Sequence, residues 1–149
     1  MASTAFDFLD RGMAFITILV NLLVAGVFIA RAMRHPRLEK ALGLVMIILA
    51  LPVAATALAN LLAARPWWLV VLPLPLVAFC IVELSVDYLR PSNFRQTRRI
   101  VPYLLLFYVA MIALLGYVFA VGRTLGTPIV FTALATYFIG LLATWYSYK

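Results

Sequence analysis

A chain of 149 residues that is 66% hydrophobic and 11% charged is too apolar for a water-soluble domain, where about half and about a quarter are usual. A mean hydropathy of +1.10 points the same way. The net charge of +7 does not imply a nucleic-acid partner: the basic residues sit in short loops between apolar runs, where they set topology and meet anionic lipid.

The single cysteine, Cys80, and single histidine, His35, exclude an internal disulfide, a Cys/His zinc site and a bis-histidine haem. No cofactor and no metal are expected. Cys80 lies inside an apolar run and reads as a packed core thiol, while His35 reads as a solvated loop residue. At the N-terminus Asp7 and Asp10 outweigh Arg11, the wrong sign for a signal peptide.

The expected fold is all-α: one integral membrane domain over 1–149, a bundle of five transmembrane helices at about 13–30, 41–64, 67–89, 100–121 and 129–148. Thr4 and Asp7 have the spacing of a capping pair, which lets a helix start before the membrane. The first span carries Asn21 near its middle, read as an amide that hydrogen-bonds a neighbouring helix. The loop RAMRHPRLEK follows. The second span is expected to kink at Pro52, and its end carries Asn60, read as another helix-packing amide. Arg65-Pro66-Trp67-Trp68 forms a hairpin at the headgroup belt. Pro73 and Pro75 are expected to bend the first half of the third span, whose last turns hold Glu83 and Asp87.

The loop RPSNFRQTRR supplies Arg90, Arg95, Arg98 and Arg99. In the fourth span Pro102, Tyr103, Phe107 and Tyr108 precede Gly116 and Tyr117. The fifth span repeats Thr132, Thr136, Gly140 and Thr144 at intervals of four, a narrow face suited to close helix contact. The end WYSYK is an aromatic anchor.

Of the 12 basic residues, Arg31, Arg34, Arg37, Lys40, Arg90, Arg95, Arg98, Arg99 and Lys149 collect on one face, nine in all, against Arg11, Arg65 and Arg123 on the other. The positive-inside rule then puts the N-terminus outside and the C-terminus in the cytoplasm, as a multi-pass protein of the cell inner membrane.

Glu83 and Asp87 share a helix face, and carboxylates in an apolar segment need a partner or a task. Two readings follow. They are an ion-pair anchor for Arg90, Arg95, Arg98 and Arg99, which also suit lipid headgroups; or they form a proton or cation site in a small transporter or channel subunit. Five helices enclose little, so self-association into a homo-oligomer would help such a pathway. The alternative function is a non-catalytic accessory or structural membrane protein whose basic loops bind anionic lipid or a partner protein. An enzyme is disfavoured: there is no phosphate-cradling glycine loop, no HExxH and no Ser-His-Asp set.

The runs GYVFAVGRTLG and TYFIGLLATWYSYK, within the last third of the chain, resemble small prokaryotic polytopic membrane proteins. The resemblance implies no activity and no residue role.

Overall fold

The computed structural model describes residues 2–89 and 100–147, and these contain helices and no strand. Helix α1 spans Ala2–Ala32, α2 Pro36–Leu62, α3 Trp67–Val71, α4 Leu74–Glu83, α5 Ile100–Ala120, α6 Gly122–Leu125 and α7 Thr127–Ser147. A π-helical segment, Leu84–Leu89, continues α4. Five stretches are long and apolar enough to cross a membrane: Phe6–Ala32, Pro36–Leu62, Trp67–Leu89, Ile100–Ala120 and Thr127–Ser147.

Helix α1 begins at Ala2, ahead of the Thr4–Asp7 pair. Asp10, Ala14, Thr17, Asn21, Val24 and Phe28 recur at alternating intervals of four and three, and all six are buried. That spacing makes one inward stripe on a helix. The stripe reaches Arg31, and from Asp10 to Arg31 it runs about 31 Å at 1.5 Å per residue. A bilayer's hydrocarbon core is about 30 Å thick. Asp10 and Arg31 therefore mark opposite ends of the bundle.

Helix α1 packs most extensively on α7, then on α2, while α4 lies against α5 and α2. On α7, Ala133, Thr136, Gly140 and Thr144 are buried, whereas Thr132 is exposed and donates to the Pro128 carbonyl at 2.9 Å. Gly140 faces α1: an added Cβ would lie 3.4 Å from the Asn21 carbonyl oxygen, an ordinary van der Waals contact. Asn21 Nδ2 donates to the Ala133 carbonyl and to Thr136 Oγ1, both at 3.4 Å. These bonds satisfy an amide that hydrocarbon alone would leave bare.

The prolines act differently from one another. Pro52 sits inside α2 without ending it, and Thr56 Oγ1 donates back to the Pro52 carbonyl at 2.9 Å. Such back-bonding eases a bend. Pro73 does break its span: α3 closes with Leu72 N–H on the Trp68 carbonyl, and α4 starts afresh at Leu74. Pro75 falls in the first turn of α4, where a missing N–H costs nothing.

Outside this core the surface is apolar. Leu51, Leu62, Leu105, Phe131 and Leu142 all point outward and are exposed. Such a surface suits lipid and not water.

Candidate functional site

Polar side chains gather at both ends of the bundle. The Asp10 end is a closed ring. Arg65 grips Asp10 with two bonds, Nη1 to Oδ1 at 2.8 Å and Nη2 to Oδ2 at 2.9 Å. Arg65 Nη1 also donates to Asn60 Oδ1 at 2.9 Å. Asn60 Nδ2 donates to Tyr117 Oη at 3.2 Å and to the Leu69 carbonyl at 2.9 Å. The Tyr117 hydroxyl closes the ring by donating to Asp10 Oδ1 at 2.9 Å.

Four elements build this ring. α1 brings Asp10, α2 brings Asn60, the turn after α2 brings Arg65 and α5 brings Tyr117. Arg65 reaches inward because Ala64 adopts φ +49°, a left-handed turn that returns Arg65 N–H to the Asn60 carbonyl at 3.0 Å. Its guanidinium stacks over Phe6, 4.9 Å from the ring centre. Asp10 is 2% exposed, and Asn60 and Tyr117 are fully buried. The hydrogen bond to Asp10 raises the Arg65 pKa above its ordinary value, against the opposing effect of burial. Arg65 is therefore a fixed cation at any physiological pH.

At the opposite end, Glu83 is 8% exposed and receives the Tyr103 hydroxyl on Oε2. It lines a cavity of about 50 Å³ with Val24, Phe28, Arg31, Phe79, Tyr103 and Phe107. A cavity of that size has room for water, which needs roughly 10–15 Å³. Arg31 stands at this cavity while its Nε donates to Glu39 Oε1 at 3.0 Å, and its guanidinium lies 5.1 Å from the Phe28 ring centre. Asp87 is half-buried, one turn beyond Glu83 and inside the π-helical segment. Such segments are frequent at functional sites. Tyr88, from the same segment, ties it to α2 by donating to the Lys40 carbonyl at 2.6 Å. Gly43 leaves room for that phenol: a Cβ there would sit 3.0 Å from the Tyr88 hydroxyl.

Of the residues singled out in the sequence, Glu83 and Asp87 therefore lie at one end of the bundle. Asn60 belongs to the ring at the other, and Asn21 with Thr136 lies between the two ends. Arg90, Arg95, Arg98 and Arg99, the expected partners of the carboxylates, lie outside the described residues. Cys80 is buried, with its thiol 3.7 Å from the Met46 carbonyl, and His35 is exposed in the turn between α1 and α2.

Sequence reasoning did not single out Asp10, Arg65, Tyr103 or Tyr117 as site residues. One signal was available. Counting spans places Asp10, Asn60, Arg65 and Tyr117 at the same end of the bundle, where a buried acid and a base would meet. Among the described residues no group of three or more His, Cys, Asp or Glu could hold a metal.

No family model, no curated protein and no solved structure matches the chain. Its class rests on its own architecture: a small polytopic membrane protein, an all-α bundle with five apolar helices long enough to span.

Proposed function

We propose that the protein is a small transporter or channel subunit in which Glu83 binds a proton or a cation. One observation carries this reading: a buried carboxylate faces a water-sized cavity and holds the Tyr103 hydroxyl. Intramembrane carboxylates on such cavities mark ion and proton pathways. Asp87, half-buried on the same segment, extends the acidic character toward the surface. In this reading the Glu83 end is cytoplasmic, the N-terminus is outside, and the membrane is the cell inner membrane. A homo-oligomer would enclose the pathway further.

The test is flux in reconstituted liposomes. Wild-type protein carries a pH- or cation-driven flux, and Glu83→Gln, which keeps the shape and removes the charge, lowers it at least about tenfold. An undiminished flux in folded Glu83→Gln protein overturns the reading.

A second reading is favoured by the turn between α1 and α2. There Arg34, His35, Arg37 and Lys40 are exposed beside exposed Met33 and Leu38. Basic residues flanked by apolar ones suit anionic headgroups. In this reading the protein is a non-catalytic accessory protein held to anionic lipid or to a partner. Anionic lipid that co-purifies with the wild type and is lost from the triple variant Arg34→Gln, Arg37→Gln, Lys40→Gln would support it. Equal lipid content in both proteins would sink it.

A further inference from the structure

The cavity beside Glu83 is walled by aromatic rings. Phe28 on α1, Phe79 on α4, and Tyr103 and Phe107 on α5 all line it. The four form a continuous chain. Ring centres lie 6.0 Å apart for Phe28 and Phe107, and 5.4 Å apart both for Phe107 with Phe79 and for Phe79 with Tyr103. Consecutive rings are inclined by 69°, 58° and 50°, so they make a curved wall and not a flat stack. Glu83 stands where the chain of rings ends, accepting the Tyr103 hydroxyl on Oε2.

The face of an aromatic ring carries negative potential and attracts a cation within about 6 Å of its centre. One ring of this wall already does so: the Arg31 guanidinium lies 5.1 Å from the centre of Phe28. Arg31 turns its hydrogen bonds away to Glu39 Oε1, at 2.5 Å and 3.0 Å.

We propose that this cavity binds a small organic cation of the guanidinium class, with Glu83 as its counter-charge and the rings as its cage. This rests on the reading of Glu83 as an ion site and names the ion. Ligand chemistry argues for the choice. Among the described residues, the polar side chains that line the cavity are Glu83, Tyr103 and Arg31. A hard metal ion takes about six oxygen ligands, and here the side chains offer one carboxylate and one phenol. A guanidinium spreads its charge over a plane, stacks on ring faces, and meets a carboxylate with two parallel N–H bonds. A carboxylate accepts about four hydrogen bonds, so other donors on Glu83 do not preclude such an ion. Size sets the upper limit. A volume of about 50 Å³ has room for about four waters, and so for about as many non-hydrogen atoms as a guanidinium ion contains. Drug-sized ligands need about 300 Å³ or more.

The experiment uses the full-length protein in liposomes under an inside-negative potassium diffusion potential. Radiolabelled guanidinium, labelled sodium and an internal pH dye report three fluxes from one preparation. Wild-type protein should take up guanidinium while sodium stays at background. Glu83→Gln should lower the guanidinium uptake at least about tenfold. Phe79→Leu and Phe107→Leu keep apolar bulk and remove a ring face, and each should lower it at least about threefold. The two lie on different helices, so the second guards against a folding defect in the first. Guanidinium uptake that depends on Glu83 but is unchanged in both ring variants overturns the cage. Sodium entering as readily as guanidinium overturns the choice of an organic cation. A Glu83-dependent proton or sodium flux with guanidinium at background overturns the ion's identity and leaves the Glu83 site standing. The absence of any Glu83-dependent flux overturns both.

Discussion

The two ends of the bundle use similar side chains for different ends. At the Asp10 end a carboxylate, a guanidinium, an amide and a phenol close on one another in a tight ring. At the Glu83 end a carboxylate and a phenol meet beside open space. The first arrangement fixes four elements together. The second retains a volume that water can enter.

The comparison breaks first at Arg65. Arg65→Ala leaves the Asp10 carboxylate buried without its counter-charge, which costs about 3 kcal/mol. For a chain of this size that lowers the melting temperature by roughly 6–12 °C. Thermal unfolding in detergent measures it, and a drop under about 2 °C would remove the ring from its structural role. The pH offers no substitute for the mutation. A raised guanidinium pKa gives stability that is complete below the unfolded value and lost only above the folded one. Arg65 therefore adds no pH dependence across the neutral range.

A paired substitution sharpens the contrast. Tyr117→Phe takes a donor from Asp10 and an acceptor from Asn60, both deeply buried, and should cost about 2 kcal/mol. Tyr103→Phe removes the bond to Glu83 beside a cavity with room for water and should cost about 1 kcal/mol or less. Unfolding in parallel decides the matter: equal losses would erase the distinction between the ends. The smallest effect is expected at Ala64, which holds φ +49° without being glycine. Ala64→Gly should stabilise the protein by about 0.5 kcal/mol, seen as a slightly higher melting temperature.

Much of this architecture was legible in the chain itself. Apolar runs broken by Pro36, Pro66 and Arg-rich loops mark five spans because hydrocarbon thickness imposes their length. Pro73 announced a broken third span because it cannot donate to the preceding turn. The ring was harder to read. Arg65 lies far along the chain from Asp10, and local periodicity carries no information about which loop returns to which helix. Asp10 also looked like part of a solvated approach to the membrane, since it sits beside Asp7 and Arg11. Its heptad phase with Thr17 and Asn21 was the overlooked sign that it faces inward. Glu83 and Asp87 stood out from the start because acids inside an apolar run are conspicuous at any register.

The intimate packing of the first helix on the last has a bearing on how the molecule is made. Asn21 is synthesised 112 residues before its acceptor on Ala133, with Thr136 later still. Until then the amide must borrow a partner from water, lipid or the insertion machinery. Assembly therefore cannot be completed helix by helix from the N-terminus, and a chain truncated before α7 would leave the nascent bundle open along its most extensive helix contact.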